Sequence, residues 1–320
     1  MAPCRLTLLI AGLVVALCPP AAAGLRELTR VAEGEFPNAQ LCQHCHVAIH
    51  EEWAGSPHAR AFTSTTYRAA TDDYRFADCL PCHAPQPTLT ASTPAARDLR
   101  REEGVTCVAC HLEDGRQWGP LEPTGLLDPH PIGVAPLRYR DSRFCGRCHE
   151  GTFAQWQQAA IEGKPTCQEC HMPSVRRKMT QATGLFSKPI VALEERGDLR
   201  RHTFVRVPRE TPFPPVTFAA QRLSTGVALA VTNHLPHTLP TGDFGTQIVR
   251  LDVLTAGPDA APALVAQREL VRQSGTALAS GQTLRWDIAW PRGMRALRVR
   301  VVRIDGAAAE EIATAEMAVP

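Results

Sequence analysis

The chain has 320 residues and a formal charge of +2, with 34 basic against 32 acidic side chains. This near balance gives no basis for nucleic-acid binding, which needs a strongly basic surface. Beyond the N-terminal leader no stretch approaches the roughly 18 apolar residues of a transmembrane helix, so the sequence predicts no membrane span in the mature chain.

Residues 1–23 have the features of a secretory signal peptide: a basic n-region, the apolar run Leu6–Leu17, and three alanines before a predicted cleavage after Ala23. A lipoprotein site at Cys18 is the alternative, but Leu17 is bulky where such a site needs a small residue. The leader predicts export to the periplasm or to the extracellular side of a bacterial membrane.

Five copies of Cys-x-x-Cys-His follow, here numbered motifs 1 to 5 in chain order. This is the attachment signature of c-type haem: two thiols bond to one porphyrin, and the histidine is the proximal iron ligand. A zinc site or a thioredoxin-like pair would explain the cysteines but not a histidine after all five pairs. We therefore expect five c-type haems. The thioether cysteines are Cys42, Cys45, Cys79, Cys82, Cys107, Cys110, Cys145, Cys148, Cys167 and Cys170, and the proximal ligands are His46, His83, His111, His149 and His171.

Cleavage of the leader would remove Cys4 and Cys18, so every remaining cysteine belongs to a motif and none is left for a disulfide. Residues 24–200 provide about 35 residues per haem and few large aromatic side chains, too little for a conventional core. The haems must then form the core, and the chain without haem is expected to be largely unfolded. Haem propionates would make the oxidised protein acidic, at roughly −4.

Successive motifs begin 37, 28, 38 and 22 residues apart, and the two long gaps contain the additional histidines His50, His58 and His130. A long gap gives the chain room to return with a sixth iron ligand. His44 lies inside motif 1 and is not expected to be a ligand.

The residues after motif 1, Val47–Trp53, indicate a helix that ends at Gly55-Ser56-Pro57. Trp156 lies seven residues after His149, as Trp53 lies seven residues after His46, which suggests an internal repeat. The plainer interpretation is that both tryptophans pack against a porphyrin.

Motif 1 with Glu52-Trp53 and Ser56-Pro57-His58-Ala59-Arg60-Ala61 resembles the opening of multihaem cytochromes related to cytochrome c554 and to the hydroxylamine oxidoreductase group. Gly104-Val105-Thr106 before motif 3 is similar to the third attachment site of that group. The stretch that begins at His130-Pro131 resembles one in which the histidine is a distal ligand, and motif 5 followed by His202-Thr203-Phe204 resembles an arrangement in which the histidine caps a haem from the far side.

The connector, residues 173–210, contains Arg176-Arg177-Lys178, for which we expect a solvated face; pairing with haem propionates is the alternative. Prolines between Pro208 and Pro215 indicate a boundary. Beyond it, apolar residues alternate with polar ones, as in half-buried strands of a β-sandwich. The alternating residues are Val249, Leu251, Val253, Leu284, Trp286, Ile288, Trp290, Leu297, Val299 and Val301.

The loop 233–242 follows a predicted strand, Val227–Thr232. Its residues 237–242 resemble the His-x-Leu-Pro-Thr-Gly loop in β-domains of related multihaem cytochromes, where the histidine reaches a haem of the neighbouring domain; Pro236 replaces the usual glycine. The resemblance implies a distal role for His237. The alternative is that His234 and His237 are both exposed loop residues.

The predicted fold class is mixed: a mainly α-helical or irregular multihaem cytochrome c domain, residues 24–200, followed by an all-β, sandwich-like domain with its connector, residues 201–320. The distal candidates are His58, His130, His202 and His237, with His50 and His234 as two further candidates.

Bis-histidine haems favour an electron carrier whose partners are redox proteins, such as a membrane-bound quinol oxidase or reductase or outer-surface cytochromes. The alternative is an oxidoreductase acting on a small nitrogen or sulfur compound at one open haem. The chain has no Cys-x-x-Cys-Lys motif, and Tyr67, Tyr74 and Tyr139 lack the context of a hydroxylamine oxidoreductase cross-link. A third possibility, compatible with the first, is that the β-domain docks the protein to a membrane or outer-surface partner.

Overall fold

The computed structural model describes residues 36–91, 93–122, 130–181, 191–192, 194–242, 246–256, 261–291, 293, 295–306 and 308–319. The predicted signal peptide lies outside the described residues. Within them, no helix is both long and apolar enough to cross a membrane.

The first half consists of short helices joined by irregular segments. Motif residues lie in these helices or next to them, and His46 and His149 are the N-caps of the helices that follow motifs 1 and 4. The helix predicted after motif 1 is confirmed, and Gly55 is its C-cap. The helices are α1 (Ala39–Gln43), α2 (Val47–Ala54), α3 (Thr65–Ala70), α4 (Leu80–His83), α5 (Cys107–His111), α6 (Pro136–Arg140), α7 (Arg143–Gly146), α8 (Glu150–Gln158) and α9 (Cys167–His171), with 3-10 turns at Ala77–Cys79 and Arg101–Glu103.

In the described part of the first half, two small sheets connect the helical segments. In the first, β1 (Leu112–Glu113) pairs antiparallel with β2 (Arg116–Gly119), which pairs in parallel with β3 (Ile132–Val134). In the second, β4 (Ser174–Arg177) and β5 (Gly197–Arg200) form an antiparallel pair within the connector. Each sheet therefore pairs strands that lie just after a motif with a strand further along the chain.

Among the described residues of the second half, seven strands form two antiparallel sheets. The strands are β6 (Val216–Arg222), β7 (Gly226–Asn233), β8 (Ile248–Ala256), β9 (Leu264–Val271), β10 (Thr283–Ala289), β11 (Ala296–Asp305) and β12 (Ala308–Ala318). The strand orders in the two sheets are β10-β7-β6 and β12-β11-β8-β9. Both sheets contribute alternating side chains to one buried cluster, so the predicted mixed fold class, with its sandwich-like second part, is confirmed. Trp290 lies just beyond the end of β10.

The buried hydrophobic cluster lies entirely between Val216 and Val319. In the described part of the first half, buried apolar residues such as Trp53, Leu89 and Val108 are spread among the motifs instead of forming one core. The space that a core would fill is a cavity, and this cavity contains the candidate site.

Candidate haem-binding sites

A connected cavity of about 2360 Å³ is lined by all ten motif cysteines and all five motif histidines. Sites for single small ligands usually measure about 300–1,000 Å³, so this cavity has room for several large groups. Each of the ten motif cysteines is half-buried and outside a disulfide.

Five polar atoms of residues that line the cavity are buried without a hydrogen-bond partner among the described residues: His50 Nδ1, Tyr67 Oη, Thr106 Oγ1, Trp118 Nε1 and Gln168 Oε1. Buried polar groups are normally paired, so the cavity suits an occupant that carries acceptors as well as a large apolar surface. A porphyrin with two propionates fits this description.

Most motif histidines are oriented by the same hydrogen bond. Nδ1 donates to a backbone carbonyl, which leaves Nε2 as the unprotonated nitrogen available to a metal. The acceptor is Met179 for His46 (3.2 Å), Ala61 for His83 (2.6 Å), Trp118 for His111 (2.7 Å) and Val205 for His171 (2.7 Å).

Three motif histidines each face a second histidine. The ring centroids are 6.5 Å apart for His46 and His130, 6.3 Å for His58 and His149, and 6.1 Å for His111 and His202. A metal–imidazole bond is about 2.0 Å and a ring nitrogen lies about 1.1 Å from its centroid, so two imidazoles on one metal would be about 6.2 Å apart. Each pair can therefore accept one iron between its rings.

Three of these imidazoles, those of His58, His111 and His202, have a pKa that burial lowers, so their neutral form is favoured. Burial, together with the nearby His149 and His202, lowers the pKa of His58 to about 3. Burial, together with the nearby His111, lowers the pKa of His202 to about 4. Because only a neutral imidazole can bind a metal, burial favours the ligating form.

His237 lies near His171 and lines the same cavity. Burial, together with the nearby His171, lowers its pKa to about 4. Its Nδ1 donates to the carbonyl of Thr238 at 3.0 Å, which leaves Nε2 available.

Two amides hold the 233–242 loop in place. The fully buried Asn233 donates to the carbonyls of His237 and Leu278, both at 2.9 Å. On the other side of the loop, Gln155 Oε1 of α8 accepts from the Thr238 amide at 2.9 Å and from the Thr241 hydroxyl at 3.1 Å. The β-domain thus presents His237 to the motif segment on a loop that both halves hold.

Glu52 holds the connector beside the His111–His202 pair. Both carboxylate oxygens accept from Arg177 at 2.7 Å, and the carboxylate also accepts from the backbone N–H of His202 at 3.0 Å. The prediction of a solvated face is wrong for Arg177, because Glu52 draws it into a half-buried pair. Arg176 remains exposed, paired with Asp198.

His83 of motif 2 differs from the other motif histidines. Its ring is stacked on that of Tyr67 at 4.1 Å, and among the described residues no histidine ring faces it. His50 packs against Trp53 at 5.4 Å, whereas Nε2 of His234 is hydrogen-bonded to the Thr217 hydroxyl at 2.7 Å, outside the cavity lining. Neither of these two further candidates is placed opposite a motif histidine.

Sequence reasoning missed the packing of tyrosines on motif histidines. Tyr139 stacks on His111 at 5.2 Å and donates to the carbonyls of Cys110 and Trp118. Trp118 O also accepts from His111, so one carbonyl positions both rings. No sequence signal marks this role, because the three residues are joined only by the fold.

Neighbouring motifs touch through their cysteines. The side chains are within hydrogen-bond reach in three pairs: motif 1 with motif 3, motif 2 with motif 4, and motif 4 with motif 5. The pairs are Cys42–Cys107, Cys82–Cys148 and Cys145–Cys167. In addition, Cys110 of motif 3 interacts electrostatically with Cys145 and Cys148 of motif 4.

Part of the sequence and the overall fold are similar to known proteins. Residues 41–112, which contain motifs 1 to 3, match the family described as "Cytochrome c554 and c-prime". The fold is similar to a penta-heme cytochrome c552 from Thermochromatium tepidum, with a TM-score of 0.57, 17% identity, and coverage of 91% of this chain and 99% of that chain. No curated protein matches this chain. The family match and the fold support a multihaem c-type cytochrome, a class whose general activity is electron transfer.

Proposed function

We propose that this chain is an exported pentahaem c-type cytochrome that transfers electrons between redox partner proteins. The observation that carries the proposal is the set of three histidine pairs with centroids 6.1–6.5 Å apart, each with one member from a Cys-x-x-Cys-His motif. This separation matches two axial imidazoles on one metal.

In this proposal the ten motif cysteines attach five haems and the motif histidines are proximal ligands. His130 serves motif 1, His202 motif 3, His58 motif 4 and His237 motif 5. The bound haem supplies a one-electron couple. The protein would hold each paired site with one imidazole on either side, and burial keeps His58, His202 and His237 neutral. A paired site would then have no open position for a substrate.

The arrangement of the motifs supports electron transfer from one haem to the next. The contacts between motif cysteines link 1 with 3, 3 with 4, 4 with 5, and 2 with 4, so no attachment site is isolated. Motif 2 is at the end of a side branch.

The second candidate function is an oxidoreductase acting on a small nitrogen or sulfur compound. It is favoured by His83, which no other histidine ring faces in the described part of the chain. An iron held there by one imidazole could keep a position open for a substrate.

We also propose residues 1–23 as a signal peptide, 24–200 as the haem domain and 201–320 as the β-domain with its connector. The mature protein then works on the periplasmic or extracellular side of a bacterial membrane. Its partners would be redox proteins, including membrane-bound quinol enzymes or outer-surface cytochromes.

EPR of the oxidised, fully haem-loaded protein, combined with assays for nitrite and hydroxylamine turnover, separates the two functions. The carrier proposal predicts at least four low-spin irons with two imidazoles each and no turnover. A high-spin iron without turnover would fit a carrier whose motif 2 iron lacks a distal histidine. A high-spin iron that turns over either compound would establish the enzyme instead.

A further inference from the structure

Two segments of the first half follow the same backbone path. Motif 1 continues into α2 and motif 4 into α8. The motif histidine that precedes each helix has nearly the same conformation, with φ −100° and ψ 50° at His46 and φ −105° and ψ 51° at His149. The seven-residue spacing from histidine to tryptophan therefore reflects the same local structure in both places.

Both tryptophans donate to equivalent acceptors. Trp53 Nε1 donates to the carbonyl of Val105 at 2.8 Å, and Trp156 Nε1 donates to that of Pro165 at 2.9 Å. Val105 lies two residues before the first cysteine of motif 3, and Pro165 lies two residues before that of motif 5. Each indole thus connects the helix after one motif to the start of another.

The residues around these bonds also correspond. A threonine with extended backbone follows each acceptor, Thr106 before α5 and Thr166 before α9. The ring three residues before each tryptophan packs on it: His50 on Trp53 at 5.4 Å, and Phe153 on Trp156 at 5.8 Å. His50 therefore occupies the position of an apolar packing residue.

The two motifs joined in this way are in contact. The thiol of Cys42 is within hydrogen-bond reach of Cys107, and that of Cys145 is within reach of Cys167. In both cases the contact joins the first cysteine of the one motif to the first cysteine of the other. The same pair geometry thus accompanies the same indole bond.

The copies differ in the chain between tryptophan and acceptor. It has 51 residues between Trp53 and Val105 but only 8 between Trp156 and Pro165. The tryptophan and the acceptor carbonyl at the two ends of this stretch are equivalent in both copies. The longer stretch is therefore an insertion into a unit that the two copies share. This insertion contains motif 2 and His58.

We propose that the chain contains two copies of one two-haem unit, motifs 1 and 3 and motifs 4 and 5, and that Trp53 and Trp156 are equivalent positioning residues. Each indole N–H fixes the distance between the two attachment sites of its unit. The inference rests on the proposed haem attachment. It goes further by assigning a shared role to two residues that bind no iron.

The test replaces the indole without removing its ring. In Trp53→Phe and Trp156→Phe an aromatic ring remains, but the acceptor carbonyl loses its donor. Site-specific incorporation of 3-benzothienylalanine at either position keeps the bicyclic shape and removes only the N–H. This substitution replaces the Phe variant in the test if the Phe variant folds poorly. Trp286→Phe in β10 is the matched control, because Trp286 packs on the β-domain core.

The readout is the exciton couplet in Soret circular dichroism, which depends on the separation and orientation of neighbouring haems. Intact mass verifies that each variant keeps the wild-type haem count. We expect each tryptophan variant to lose less than about half of the couplet, since the contacts of motif 4 with motifs 2 and 3 also contribute, and the double variant to lose about the sum. Trp286→Phe should leave the couplet unchanged.

An unchanged couplet in fully haem-loaded Trp53 and Trp156 variants would overturn the positioning role. A change at only one position would overturn the equivalence of the two units. If a variant loses haem but each remaining haem pair keeps its couplet, the indole is needed for haem attachment and not for positioning. That result would also overturn the inference. By contrast, missing haem in the wild-type protein would overturn the proposed function.

Discussion

Replacing His237 by alanine will convert one iron in five from low spin to high spin. His237 is a loop histidine of the β-domain that lines the cavity near His171, with burial holding it neutral and its Nδ1 donating to the carbonyl of Thr238. The variant removes the imidazole but leaves the loop held by Asn233 and Gln155. The sixth position of the motif 5 iron then lacks its protein ligand.

The measurement is quantitative EPR of the ferric variant with a potentiometric titration. Loss of the second imidazole should raise the potential of that haem, because a strong donor to the ferric state is removed. The connector should also be cleaved faster in limited proteolysis, since the iron–imidazole bond that spans the two halves is missing.

His234→Ala is the matched control. It lies in the same loop, but its Nε2 is bound to the Thr217 hydroxyl. We expect this variant to keep the wild-type spectrum. If His237→Ala stays wholly low-spin while His234→Ala changes, the ligand is His234; if neither changes, the β-domain supplies no ligand and its role is docking.

Produced without haem attachment, the chain will be unfolded from about residue 36 to residue 210 and folded beyond it. The buried hydrophobic cluster lies between Val216 and Val319, whereas the motif segment surrounds a cavity of about 2360 Å³. An empty cavity of that size cannot offset the conformational entropy of ordering the segment around it. The seven-stranded half can bury its own apolar faces.

Hydrogen exchange followed by peptide mass spectrometry tests this difference. In the haem-free chain, amides of α2, α5, α8 and α9 should exchange at the rate of unstructured peptides, while those of β7, β8 and β11 remain protected. The haem-loaded protein should protect both groups. Protection of the four helices in the haem-free chain would contradict a core made of haem.

Many of the helices and strands can be predicted from local sequence patterns. Helix α2 was predictable because Gly55-Ser56-Pro57 ends an apolar-periodic segment, and β8, β10 and β11 because their side chains alternate with period two. The loop with His237 was recognised from residues 237–242. These signals lie within about ten residues, the range over which sequence pattern dictates conformation.

The pairing of histidines was not predictable from the sequence. His130 faces His46 across 84 residues, and His58 faces His149 across 91. Such pairings depend on how the motifs stack, which no periodicity encodes. For the same reason the ion pair of Glu52 and Arg177, which are 125 residues apart, could not be predicted from the sequence.

The central claim is that all five motifs hold haem, and the intact mass of protein matured by a cytochrome c assembly system tests it most directly. The predicted mass is that of the chain cleaved after Ala23 plus five haems. Four haems or fewer on a fully matured sample would contradict the claim.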